Sequence, residues 1–127
     1  MKILVAGGGT GGHIFPAVAI AEAFKRSDPQ TKVLFVGTRN ELEVSTLARR
    51  GLRHMSIAAA GLKGRSLWRQ VQAVLRIPKG FFQALNIIRR FNPDIVIGVG
   101  GYASGPVALA AKLMRKKVVI HEQNVIP

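Results

Sequence analysis

The sequence predicts an α/β fold, a Rossmann-like parallel sheet with helices on both faces. Three observations predict it. Short apolar runs bounded by glycine recur along the chain, segments of helical period separate them, and two strand-to-helix junctions are glycine-rich, "GGGTGGH" at residues 7–13 and "GVGGYASGP" at 98–106. A run of four to eight apolar residues suits a strand buried on both faces, and strand–helix alternation demands parallel pairing through right-handed crossovers.

The elements follow in order. Lys2–Ala6 is the first strand. Pro16 suits a first helical turn, and Ala17, Ile20, Ala21 and Phe24 then repeat at helical spacing. Lys32–Val36 is the second strand, Glu41–Arg50 a helix closed by Gly51, and Leu52–Ile57 the third strand. Ala58–Arg65 reads as a loop. Leu67–Phe91 is helical in pattern but interrupted by "IPKG" at 77–80, where proline removes a hydrogen bond, so two helices are expected. Asp94–Ile97 is the fourth strand, Ser104–Met114 a helix and Val118–His121 the fifth strand. The common order 3-2-1-4-5 puts strands one and four side by side where the winding reverses, and both glycine-rich loops on the walls of one crevice.

Composition narrows the partners. The length of 127 residues is that of one domain, 48% hydrophobic content argues for a packed core, and there is no cysteine for a disulfide or thiolate metal site. The apolar run after Lys2 is too short for a signal peptide, and Ile95–Ala111 is broken by glycines and Pro106, so no membrane span is expected. Net charge is +13, and no acidic residue occurs from Val44 to Pro93. An anionic partner is expected, whether nucleic acid, lipid or phosphorylated small molecule.

Gly7, Gly9 and Gly12 fit the dinucleotide pattern G-x-G-x-x-G. Binding of NAD also requires an acid after the second strand, and "VGTRN" at 36–40 has none. Arg39 keeps open an alternative, an NADP-binding domain of an oxidoreductase. Each glycine-rich loop by itself is equally well read as a tight turn that lets a helix pack closely. Two at one crevice favour an anion site able to grip a diphosphate, because each exposes backbone N–H groups at a helix N-terminus.

His13, at the end of the first loop, is placed to take a proton from a substrate hydroxyl; the alternative is a capping or core histidine. "HEQN" at 121–124 leaves the fifth strand at the same edge, where amide side chains read sugar hydroxyls or cap the loop. No metal-ligand spacing or catalytic triad order accompanies it. Between Gly61 and Phe91, Leu67, Trp68, Leu75, Ile77, Phe81 and Phe82 interleave with Lys63, Arg65, Arg69, Arg76 and Lys79. That pattern suits an anionic membrane surface, and equally the core face of crossover helices. No nucleic-acid recognition motif is present, so specific nucleic-acid binding is not expected.

"GGTGGHIFPAVAIAEAF", "GVGGYASGP" and "HEQN", with "GTRNELE", Gly61–Leu62 and "NPDIVIGVGG" in the same order, resemble the N-terminal domain of the MurG family of peptidoglycan glycosyltransferases. The resemblance runs over essentially the whole chain. It implies the N-terminal, acceptor-binding half of a GT-B enzyme that moves N-acetylglucosamine from UDP-GlcNAc to lipid I, giving lipid II, without a cofactor or metal. It implies that Gly9, His13, Gly100, Gly101, Tyr102, Ser104 and Gly105 hold the acceptor diphosphate, and that Thr10, Gly11, Gly12 and Asn124 reach the donor. His13 aligns with a proposed base, Glu122 being the alternative. Arg65, Leu67, Trp68, Arg69, Leu75, Arg76, Lys79, Phe81 and Phe82 would meet an anionic membrane, so the implied location is cytoplasmic, peripheral on the inner face of the bacterial plasma membrane. The family continues into a C-terminal donor domain, whereas this sequence has Val125 and stops at Pro127. Residues 1–127 alone are therefore expected not to turn over.

Overall fold

A computed structural model of the chain describes residues 1–8, 14–37, 41–57, 67–101 and 104–121. Five strands form one parallel sheet: β1 (Lys2–Gly8), β2 (Lys32–Gly37), β3 (Arg53–Ser56), β4 (Ile95–Gly101) and β5 (Lys117–Ile120). Four helices connect them, α1 (Ile14–Ser27), α2 (Glu41–Arg49), α3 (Leu67–Phe91) and α4 (Ser104–Leu113). The order is β3-β2-β1-β4-β5, as the sequence predicts.

Strand residues alternate between two cores, because successive side chains leave opposite faces of a sheet. Ile3, Val5, Val33, Phe35, Ile97 and Val99 pack against Ala17, Val18 and Ala21 of α1 and Leu47 of α2. Leu4, Ala6, Leu34, Val36 and Val96 meet Ala84, Ile87 and Ile88 of α3 and Val107, Ala110 and Ala111 of α4 on the other face. Burying each large aliphatic side chain is worth about 1.5–3 kcal/mol, so both faces stabilise the sheet.

Two expectations are corrected. Leu67–Phe91 is one helix with Pro78 inside it, not two. An interior proline costs roughly 3 kcal/mol, but burial of Ala84, Ile87 and Ile88 on the same helix offsets it. Secondly, β1 runs through Gly7 and Gly8, and β4 through Gly98–Gly101, where loops were expected. Glycine has low strand propensity, but its N–H and C=O pair like any other, and tertiary packing rewards the missing side chain here.

Helix ends follow local rules. Gly51, at φ 70°, closes α2 as predicted, with Leu52 N–H donating to Leu47 O and Gly51 N–H to Ala48 O. Arg115 repeats that motif after α4 at φ 59°, a conformation that disfavours a side chain.

Candidate functional site

From β1 the chain steps outward to β2 and β3, then crosses back to β4 and β5, so the winding reverses between β1 and β4. The helices that follow these two strands lie on opposite faces, α1 on one and α4 on the other. Their N-termini therefore flank a crevice at the carboxyl edge of the sheet.

Glycines shape its floor. Ala6 pairs with Gly98 but Gly8 with Gly101, so β4 carries one extra residue, a bulge, opposite Gly7. Gly100 has φ 93° at this bulge, a backbone conformation that L side chains rarely adopt. A Cβ on Gly7 would overlap the Val99 side chain, and a Cβ on Gly98 would fall 2.5 Å from Ser104 Oγ. The bare backbone at Gly98 thus lets the first residue of α4 rest directly on β4.

That contact places a helix N-terminus at the crevice. Ser104 is buried, while Gly105 is exposed, with nothing within 4 Å of where its Cβ would stand. Neither α1 nor α4 has an acidic residue in its first turn, so no carboxylate there offsets the positive end of either helix dipole. Such an end favours an anion. The end of β5 reaches the same edge, since His121 N–H donates to Gly98 O at 2.7 Å.

Of the residues expected at the acceptor diphosphate, Gly100, Gly101, Ser104 and Gly105 are brought together along the end of β4 and the start of α4. Gly9, His13 and Tyr102, the donor-side Thr10, Gly11, Gly12 and Asn124, and Glu122 lie outside the described residues. So do Arg65 and the Thr38–Asn40 stretch.

In the expected membrane set, Leu67, Trp68, Arg69, Leu75 and Arg76 belong to α3, with side chains outside the described set. Lys79 is exposed and Phe82 is 66% exposed. Phe81 departs from the expectation, being half-buried against the core. Helical spacing explains the split: Phe81 shares the inward face with Ala84, Leu85 and Ile88, and Phe82 the outward face with Pro78, Lys79 and Asn86. The two rings meet edge to face at 5.7 Å between centroids.

Sequence reasoning passed over Phe15, which is 63% exposed as the second residue of α1 at the crevice rim. The available signal was an aromatic directly before a helix-start proline. Away from the crevice, His54 of β3 has Nε2 buried with no partner, and burial lowers its pKa from 6.5.

Comparison with known proteins agrees with this architecture. The profile of the glycosyltransferase family 28 N-terminal domain matches residues 3–127. The chain is 50% identical over 126 residues to the UDP-N-acetylglucosamine–N-acetylmuramyl-(pentapeptide) pyrophosphoryl-undecaprenol N-acetylglucosamine transferase of Desulfotalea psychrophila, covering 99% of this chain and 34% of that protein. The crystal structure of Acinetobacter baumannii MurG superposes with a TM-score of 0.82 at 33% identity, covering 98% of this chain and 36% of the other. UDP-GlcNAc 2-epimerase from Neisseria meningitidis shares the fold alone, with a TM-score of 0.67 at 16% identity over 94% of this chain and 32% of the other. The chain spans about a third of the length of each. The oxidoreductase alternative finds no support in these matches.

Proposed function

The chain belongs to glycosyltransferase family 28, whose N-terminal domain it spans over residues 3–127, and we propose that it is the acceptor-binding half of a GT-B enzyme that transfers N-acetylglucosamine from UDP-GlcNAc to lipid I. The observation that carries this reading is the crevice at the β1/β4 switch point, with two helix N-termini free of first-turn acids on its walls and the Gly100 bulge on its floor. A lipid-linked diphosphate has the charge and narrow shape that such a seat accepts.

In the reaction that follows from this reading, the acceptor diphosphate rests at the start of α4 and fixes the acceptor sugar. His13, or alternatively Glu122, takes the proton of its hydroxyl. The oxygen forms a bond to the anomeric carbon of N-acetylglucosamine while the bond to the UDP phosphate oxygen breaks. UDP leaves with the electron pair and the configuration inverts. Thr10, Gly11, Gly12 and Asn124 contribute to the donor side, and a C-terminal domain holds most of UDP-GlcNAc. Holding the two substrates in line supplies much of the rate, because it removes the entropy of bringing them together.

The net charge of +13 and the exposed Phe82 beside Lys79 support attachment to the anionic inner face of the plasma membrane. Among the described residues no helix is long and apolar enough to cross a membrane.

The test is an amide NMR titration of the chain with a short-chain lipid I analogue. Shifts are expected at Gly98–Gly105, with no sugar transfer when UDP-GlcNAc is added. An unperturbed α4 N-terminus would sink the acceptor assignment, and full-rate transfer would sink the division of labour. In a two-domain enzyme carrying these residues, His13→Ala is expected to lower turnover by about 10²–10⁴-fold. An unchanged rate would remove it as the base.

A further inference from the structure

The opposite edge of the sheet carries a second basic concavity. A cavity of about 370 Å³ opens beside the C-terminal end of α3, over the first residues of β1, β2 and β3. Lys2, Lys32, Arg53 and Arg90 surround it, and Leu34 and Phe91 contribute apolar lining.

The topology forces these cations together. Lys2 is the register partner of Lys32 across β1 and β2, and Leu34 the partner of Arg53 across β2 and β3. In-register neighbours on parallel strands leave the same face, here the face shared with Leu4 and Leu34, and stand about 4.8 Å apart along the backbone. Arg90 comes from α3, the helix that packs on that face. Residues spread over 89 positions of sequence therefore point their charge at one volume.

None of the four cations is ion-paired among the described residues. The ion pairs there are those of the N-terminal amine with Asp28 and of Arg50 with Glu22. Asp94 is the nearby carboxylate, and its Oδ2 accepts the backbone N–H of Lys2 at 2.7 Å. The Lys2 ammonium stands 5.9 Å from the centroid of the Phe91 ring, which orients it without cancelling its charge. Like charges placed side by side on a sheet repel, and the fold leaves that repulsion unanswered.

We propose that this cavity binds a phosphate-bearing ligand, the phosphate meeting Lys2, Lys32, Arg53 and Arg90 and an apolar portion lying toward Leu34 and Phe91. Charge density selects phosphate. A monoester carries close to two negative charges on one small group, whereas a carboxylate carries one, and guanidinium groups match phosphate oxygens in pairs. The volume lies within the range of small-molecule pockets. The site is at the amino edge, away from the crevice between β1 and β4, and stands whether or not the acceptor assignment holds.

The experiment is an amide NMR titration of the full 127-residue chain with glycerol 3-phosphate, with sodium glutamate at equal ionic strength as the control. Saturating shifts at Lys2, Lys32, Arg53 and Arg90, with a Kd below about 1 mM, are expected from glycerol 3-phosphate and not from glutamate. Vesicles of phosphatidylglycerol, against phosphatidylcholine, separate the two sources of the same chemistry. If vesicles perturb these amides and glycerol 3-phosphate does not, the phosphate is that of a lipid headgroup; the reverse identifies a soluble ester. The triple variant Lys32→Gln, Arg53→Gln, Arg90→Gln changes only exposed side chains and is expected to weaken binding at least tenfold while shifts at Gly100–Gly105 persist. The single variant Arg53→Gln, expected to weaken binding by a smaller factor, serves if the triple one does not fold. Equal shifts with glutamate, undiminished binding by a folded variant, absence of shifts with every phosphate probe, or tighter binding of an acidic peptide would each overturn the proposal.

Discussion

Replacing Gly98 by alanine tests whether the strand and the helix start are built as one unit. The new Cβ would stand 2.5 Å from Ser104 Oγ and 3.0 Å from Ile120 Cδ1. Ile120 is 53% exposed and can swing aside, but Ser104 is 8% exposed on the first residue of α4. Ordinary contact begins at 3.4 Å, so Ser104 must retreat by about 0.9 Å or turn its hydroxyl into packed surroundings. Overpacking of this kind costs about 1–3 kcal/mol, roughly a 5- to 150-fold loss in the folding equilibrium. At a urea m-value near 2 kcal/mol/M, the midpoint should fall by about 0.5–1.5 M with m unchanged.

The cycle with Ser104→Ala isolates the cause. Removing Oγ clears the contact and leaves Cβ at 3.9 Å, so Gly98→Ala should cost at least 1 kcal/mol less, roughly, in the Ser104→Ala background. The displacement should also weaken any anion bound at the start of α4. A wild-type urea midpoint for Gly98→Ala, or full additivity with Ser104→Ala, would refute the reasoning.

Other substitutions probe independent features. His54 has its pKa lowered from 6.5 by burial, so below pH 6.5 the unfolded chain takes up a proton before the folded one does. Stability is expected to be complete above that pH and to decline as pH falls toward the folded pKa, measured by urea unfolding at stepped pH, and His54→Gln should flatten this part of the profile. Arg115→Gly relieves a left-handed backbone at the end of α4 and should raise stability by about 0.5–1 kcal/mol in thermal unfolding. Phe82→Ser combined with Lys79→Gln should reduce sedimentation with phosphatidylglycerol vesicles several-fold, with the unfolding midpoint within about 0.5 kcal/mol of wild type, since both side chains are exposed. Vesicle binding at the wild-type level would remove this part of α3 from the membrane surface.

Much of the fold was legible because its signals are local. Apolar strands such as Val33–Val36 are read from a few consecutive residues, and Gly51 closes α2 because only its own backbone angles and its neighbours' hydrogen bonds matter. Pro78 and the glycines of β1 and β4 misled for the converse reason. Their local preferences are for breaks, but α3 is held by the inward face formed by Phe81, Ala84, Leu85, Ile87 and Ile88, and the strands by ladders to distant partners. The membrane set blurred for the same cause, since charge and apolarity alternate along α3 and only packing separates Phe81 from Phe82.

The sequence by itself determined the alternation of strand and helix, the family, the excess of positive charge and the presence of glycine at both strand-to-helix junctions. Each of these is carried by neighbouring residues or by composition. Only the tertiary structure decided that β4 gains a bulge opposite Gly7, that Gly98 seats Ser104, and that Lys2, Lys32, Arg53 and Arg90 share one cavity. Those depend on register and on which strands lie side by side, and parallel pairing sets both between segments tens of residues apart, where no local period reports them.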